Sequence, residues 1–215
     1  MSGGGCCDPR GCDRMFSPGF ARHAARRYRS RGLDRTAARM VAFLESRGIE
    51  GATVLEVGGG VGEIQIELLR RGAASAVGLE LSPSYEAEAG ALLADAGLTG
   101  RVRRRIHDIA ADPSGVDGAD VVVLHRVVCC YPDYQRLLAA VADHAGRVVV
   151  FSHPPRHLAG RAFVGLTNLM MRLRGREYRA FVHPPEAMLA VLRERGLRQT
   201  FAHRGLTWQI AGLER

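Results

Sequence analysis

Lysine is absent from this 215-residue chain: all thirty basic side chains are arginine, set against 22 acidic ones. Such one-sidedness marks a compositional preference for arginine and alanine, and it raises the isoelectric point without selecting a partner. The net charge of +8 and the arginine clusters at 22–31, 101–105 and 172–179 still admit a nucleic-acid partner, as the weaker reading. No apolar run approaches the ~18–20 residues of a membrane span, so no membrane partner is expected. The opening segment MSGGGCCDPRGCDR has no apolar core, so no secretory signal is read there and a cytoplasmic location is expected. The five cysteines fall as Cys6, Cys7 and Cys12 in a tail and Cys129 and Cys130 in the interior. Their number is odd and the tail has no compact framework, so structural disulfides are not expected. There is no tandem repeat, and the length suits one well-cored domain with a few appended elements.

What is present is an alternation of strand and helix. Residues 1–15 read as a loose Gly/Cys-rich tail and 16–48 as a helical arm. In the arm Leu33, Ala37, Met40, Val41 and Leu44 fall at helical spacing and Gly48 supplies a stop. From 49 to 215 the pattern predicts strands at 53–57, 76–81, 102–107, 120–125 and 147–152, with helices at 62–71, 83–96 and 133–144. DVVVL and RVVVF are apolar almost throughout, as in strands covered on both faces. Beyond Ser152 the spacing predicts an arginine-studded amphipathic helix at 156–175, a proline-led helix at 184–195, and two strand-like runs, RQTFAHRG and LTWQIAGLE. The expected fold is α/β: a doubly wound, mostly parallel seven-stranded sheet with helices on both faces, the helical arm before it and a helical lid at about 156–183.

Residues 53–62, TVLEVGGGVG, carry the chemistry. A buried strand ends near Glu56, glycines follow at Gly58, Gly60 and Gly62, and EIQIELLRR begins a helix at once. Glycine lets a ligand approach the backbone, and the helix start offers unpaired N–H groups with a positive dipole end. The spacing is E-x-G-x-G-x-G. A dinucleotide turn would want a third small residue where Glu63 stands. Glu80 ends the next strand, where a carboxylate can accept both ribose hydroxyls, and Asp108 follows the third, where it can receive an adenine amino group. Each alone could be an ordinary solvated strand-end acid or, for Glu56, a cap on the turn. Their joint placement at the carboxyl ends of three successive strands favours an adenosine-type ligand.

These residues resemble the motifs of class I S-adenosylmethionine-dependent methyltransferases, a Rossmann-like fold, from about residue 50 to the C-terminus. The resemblance implies S-adenosyl-L-methionine as cofactor. Gly58 to Gly62 would pass its methionyl and ribose parts, Glu80 would bind the ribose, and Asp108 with the Ile109 backbone would bind adenine. LHRVVCCYPD (124–133) is similar to the family's loop after the fourth strand, whose backbone near His125 and Arg126 faces the methionine moiety. Many relatives carry a histidine or another bulky residue where Cys129 and Cys130 stand. The family builds its acceptor pocket from N-terminal helices and insertions after the fifth strand. The proportions here are similar to small-molecule O-methyltransferases, including the magnesium-protoporphyrin type, by architecture alone.

The sulfonium already activates the methyl group, so alignment with the acceptor supplies most of the rate, and a base is needed only for a protonated acceptor. His125 and His153 are the candidate bases and His183 a third; a hydrogen-bonded loop histidine is the plain alternative for each. Cys129, Cys130, Tyr131 and Met170 are candidate substrate contacts. Phe163, Val164, Leu166, Leu169 and Met171 complete the expected lid face, and Arg156, Arg161, Arg172 and Arg174 could recognise a carboxylate. Ordinary core packing would account equally well for Tyr131 and the methionines. Cys6, Cys7 and Cys12 with Cys129 and Cys130 could hold zinc or a soft metalloid, but no standard finger spacing is present, and small buried hydrophobes are the favoured reading of the inner pair. The expected function is methyl transfer to a small organic molecule. RNA methylation is the alternative among enzymes, disfavoured by the lack of an appended RNA-binding module and of an N-P-P-[YF]-type loop after the fourth strand. A non-catalytic cofactor-binding protein, or a thiol-based metal or redox sensor, is the alternative from another class. The sequence specifies neither the acceptor atom nor the oligomeric state.

Overall fold

The computed structural model describes residues 15–175 and 178–215, apart from the side chains of Ala159 and Phe163. Five parallel strands, β1 (Thr53–Val57), β2 (Ser75–Glu80), β3 (Val102–Ile106), β4 (Ala119–Leu124) and β5 (Ala145–His153), are joined at one edge by a hairpin of β6 (Arg198–Arg204) and β7 (Gln209–Glu214). The sheet order is β3-β2-β1-β4-β5-β7-β6, and β7 runs antiparallel to both its neighbours. The order reverses between β1 and β4, so the two βα connections on either side leave a crevice at the carboxyl ends of those strands.

Helices α1 (Pro18–Arg31), α2 (Arg35–Glu45), α3 (Glu63–Arg70) and α4 (Glu86–Asp95) cover one face. Their Met40, Leu44, Ile64, Leu68 and Leu92 pack with Val54, Val121 and Val148 of the sheet. On the other face α5 (Tyr134–His144) and α7 (Pro185–Arg193) contribute Leu137, Leu138, Met188 and Leu192 against Leu55, Val122 and Val149. Successive residues of β1, β4 and β5 thus serve opposite layers, which is why these strands read as unbroken apolar runs. Each fully buried leucine or valine stabilises the fold by roughly 1.5–3 kcal/mol.

The seven expected strands are all present, with ends moved by one to three residues; β5 gains residues at both ends of 147–152, and β7 starts three residues into LTWQIAGLE. The helix expected at 83–96 opens as a short 3-10 turn over Pro83–Tyr85 before α4, because Pro83 presets the first turn. In the arm, α2 ends at Glu45. Gly48, with φ 76°, occupies the turn beyond it rather than the cap itself. The amphipathic segment after β5 forms α6 (Leu158–Leu173), capped by His157, whose Nδ1 accepts from the Gly160 amide at 2.9 Å.

The segment expected as a lid, 156–183, reaches the site through Tyr178, whose Oη lies 2.9 Å from Sγ of the cavity-lining Cys130. None of the described apolar residues of α6 lines the cavity at the strand ends. That mouth is covered by Phe16 and Phe20, which pack on Tyr85 with ring centroids 6.0 and 6.4 Å apart. Phe16 also meets Tyr178 edge-on at 5.8 Å. The tail holding Cys6, Cys7 and Cys12 lies outside the described residues.

Candidate active site at the carboxyl ends of the strands

The glycine turn leaves β1 and enters α3 with three positive φ angles, 65° at Gly58, 56° at Gly60 and 82° at Gly62. Space is as restrictive as angle. A Cβ on Gly58 would lie 2.5 Å from Val127 Cγ2, and one on Gly59 would lie 2.6 Å from Glu56 Cδ. Arg104 of β3 holds the turn from beside it, donating from Nη2 to the Gly60 carbonyl at 2.8 Å and to Glu86 at 2.7 Å. Glu56 is buried under the turn, and its Oε2 has no hydrogen-bond partner among the described residues. Burial first, and the nearby Glu63 charge second, push its pKa up to about 8 against the pull of Arg104. Glu63, at the start of α3, is likewise raised by burial, with Arg27 3.9 Å away opposing.

Glu80 and Asp108 are both fixed by backbone amides. Glu80 accepts from Gly60 N at 2.9 Å on one oxygen, and from Leu81 N and Ser82 N at 2.8 and 3.1 Å on the other. Asp108 Oδ1 accepts from Ala110 N at 3.0 Å, closing the turn after β3, and the buried Tyr131 hydroxyl donates to Oδ2 at 3.0 Å. Each carboxylate keeps lone pairs for further donors.

The loop after β4 bends sharply. Arg126 has a φ of 62°, a strained value for a residue with a side chain, of order 1–3 kcal/mol. Its amide donates to Ser152 Oγ at 2.9 Å, and its guanidinium lies 2.7 Å from Asp34 Oδ2 and 5.0 Å from the Trp208 ring centroid. Asp34 caps α2 through Oδ1, accepting from Thr36 N and Ala37 N at 2.8 and 3.0 Å. Burial pushes the Asp34 carboxyl up, but the Ala37 amide, His125, Arg126 and the Thr36 amide outweigh it and hold the group below its ordinary range. His125 Nε2 is 3.8 Å from the same carboxylate. Burial, together with Arg126 and Arg27, lowers the imidazole to about 4 despite Asp34, so it is neutral at physiological pH.

Cys130 lies on the cavity wall, its Sγ 2.9 Å from Tyr178 Oη and 3.6 Å from Cys129 Sγ. The hydrogen bond between the thiols and burial push Cys129 up. The same bond, with Tyr178, lowers Cys130 against its own burial.

A single cavity of about 440 Å³ therefore brings together Glu56, Gly58, Gly60, Glu80, Asp108 and Ile109, and with them His125, Cys130 and Tyr131. Gly62 shapes the turn from behind, as the residue preceding α3, and Cys129 points into the protein. His153 is buried with Nδ1 3.0 Å from the Pro154 carbonyl and does not line the cavity. His183 supports the wall from outside, its Nε2 2.9 Å from the Tyr131 carbonyl. Met170 is 42% exposed while Met171 is 7% exposed, so the inward methionine is the neighbour of the expected one. Among the described residues no three metal-binding side chains converge. The cavity also contains Phe20, His23 and Arg27 of α1, together with Tyr85, none of which the motifs pointed to. Phe16, Phe20, Ala24 and Arg27 recur at helical spacing, a signal available in the sequence. Nothing in the polar run of β3 singled out Arg104.

The methyltransferase-domain family model matches residues 22–209, reaching back through α1, whereas the motif resemblance began near residue 50. A search of the curated proteins finds no match. Among solved structures, magnesium protoporphyrin IX methyltransferase from Synechocystis PCC 6803 with bound SAH is 22% identical, with a TM-score of 0.65 over 84% of this chain and 81% of that one. A TehB-like SAM-dependent methyltransferase from Corynebacterium glutamicum is 18% identical, with a TM-score of 0.63 over 92% and 98%. An O-methyltransferase family protein from Burkholderia thailandensis is 20% identical, with a TM-score of 0.67 over 84% of this chain and 56% of that one. At these identities the structural likeness is one of fold. With most of its length inside the family match and this sheet order beneath the glycine turn, the chain belongs to the methyltransferase-domain family, on the fold of the class I S-adenosylmethionine-dependent methyltransferases.

Proposed function

We propose that this protein transfers a methyl group from S-adenosyl-L-methionine to a small organic acceptor. The observation that carries the reading is the convergence of the glycine turn, Glu80, Asp108 and His125 on one cavity of about 440 Å³, with Phe16 and Phe20 beside its mouth. Solved relatives bind SAM or SAH, and the residues here suit that ligand. The close approach of Val127 and Glu56 keeps residues 58 and 59 glycine, so the turn lines the cavity with bare backbone. The unpartnered oxygen of Glu56 offers a hydrogen-bond acceptor to the cofactor's ammonium, and that cation would in turn favour the ionised carboxyl.

In this reading Glu80, held rigid by three amides, takes the ribose hydroxyls. Asp108, steadied by Tyr131, and the backbone at Ile109 meet the adenine. Gly58 to Gly60 lie along the methionyl part. The cofactor supplies an electrophilic methyl; the protein aligns the acceptor with it and excludes water. His125 is the base of choice. It lines the cavity, it is neutral, and Asp34 would stabilise the imidazolium once a proton arrives. A weak base suffices, because the acceptor proton becomes strongly acidic as the new bond to carbon forms. His153 serves as a structural residue, since its ring faces Pro154 away from the cavity.

Calorimetry with S-adenosylmethionine tests the pocket: Glu80→Ala should weaken binding at least about 100-fold, since two charge-assisted hydrogen bonds are worth about 3 kcal/mol or more. Undiminished affinity would remove the ribose assignment. Radiolabelled methyl supplied with cell extract should enter the small-molecule fraction. Label in RNA would reassign the acceptor class, and tight cofactor binding without any transfer would leave a binding protein.

A further inference from the structure

α6 presents its apolar side to solvent. Leu158, Leu166, Leu169 and Leu173 are 83, 59, 51 and 78% exposed, and at 3.6 residues per turn they share an arc of about 80°. Arg161 and Arg172, both exposed, border that arc on one side, and Arg174 follows the last turn. Between Asp143 and Glu177 the sequence has six arginines and no acid. A second element extends the surface. The turn joining β6 to β7 carries Leu206, 89% exposed, with Arg204 exposed beside it. Because Gln209 pairs with His153 at the end of β5, this turn sits at the same end of the sheet from which α6 departs.

We propose that α6 and the 205–208 turn form a docking surface for an anionic lipid bilayer, with the leucines in the headgroup–acyl boundary and the arginines on the headgroups. A cluster of exposed leucines on one stripe is more than the scattered apolar residues of an ordinary surface. An amphipathic helix of this kind lies in the membrane plane rather than crossing it. No helix among the described residues is long and apolar enough to cross. The charge selects among occupants. A second copy docked across a two-fold axis would set Arg161 and Arg172 against themselves with no acid in α6 to compensate. RNA would satisfy the arginines but leave the leucines in water. An anionic bilayer satisfies both. The sequence-based expectation of no membrane partner rested on the lack of a spanning run, which does not bear on attachment in the plane.

Co-sedimentation of the full chain with vesicles of phosphatidylcholine, with or without phosphatidylglycerol, tests this. Binding is expected to the anionic vesicles, falling as salt rises, and not to phosphatidylcholine alone. Leu166→Glu/Leu173→Glu alters only exposed positions, so its melting temperature should match the wild type while vesicle binding drops at least about tenfold. Arg161→Ser/Arg172→Ser should lose about fivefold per arginine removed. Absence of binding to anionic vesicles, or equal binding to neutral ones, overturns the proposal. So does a concentration-dependent dimer that the leucine variant abolishes, because a second copy would then be the occupant.

Discussion

β5 and α6 follow one another in the chain and are similarly apolar, yet they end in opposite environments. Val148 to Phe151 lie between β4 and β7, with a helical layer on each face, and are wholly buried. α6, a few residues on, buries Met171 and leaves its leucines in water. Apolar content therefore does not decide burial. A strand inside a parallel sheet meets partners on four sides, whereas a helix is buried only if another surface faces its stripe. The active-site groups stand on the first kind of support. They are held by backbone amides and by strands that cannot shift without losing a hydrogen-bond ladder.

Mutations can break that contrast or sharpen it. The largest effect is expected from Phe151→Ala, about 3–5 kcal/mol in denaturant unfolding, because it opens a cavity in a filled layer. Leu173→Ala should stay within about 0.5 kcal/mol in the same measurement. Next comes pH. Glu56 has a folded pKa of about 8 against an ordinary 4.5, so between these values the native state binds more protons than the unfolded chain. Its contribution is complete below the lower value and is lost as pH rises to the upper one. The stability of the wild type relative to Glu56→Gln should accordingly fall by a few kcal/mol across that window in thermal melts. A flat difference would mean that the carboxyl is not buried as described. Gly58→Ala follows: a side chain at φ 65° against Val127 should cost about 2 kcal/mol and abolish cofactor binding in calorimetry. The last change has the opposite sign. Gly165→Ala has open space around its Cβ in the middle of α6 and should stabilise by about 0.5–1 kcal/mol, raising the melting temperature slightly.

The sheet was legible because β-branched runs such as DVVVL have few other destinations, and the acids at the ends of β1, β2 and β3 fell where topology gathers ligands. What sequence could not convey was direction. His125 and His153 both follow apolar runs, but the turn at Arg126 leaves the first ring on the cavity wall while the β5–β7 pairing holds the second away from it. Met170 and Met171 differ by one position, which on a helix is a rotation of about 100°, enough to exchange inside for outside. Which helix stands nearer the mouth is a question of the same kind. Both α1 and α6 are amphipathic, and the packing of Phe20 of α1 on Tyr85, with Phe16 just before it, sets α1 at the mouth. Arg104 left no signal, since an arginine among arginines has no pattern to stand out from.

The place of β7 has a consequence for synthesis. It lies between β5 and β6 and supplies the edge partner of Val148 to Phe151 from the last residues of the chain. Until those residues leave the ribosome, RVVVF presents a row of open N–H and C=O groups, high β-propensity and no proline, the composition that seeds intermolecular strand pairing. A nascent chain halted before Gln209 is thus poised to aggregate through β5, and the closing hairpin acts as the guard on that edge as well as the end of the fold.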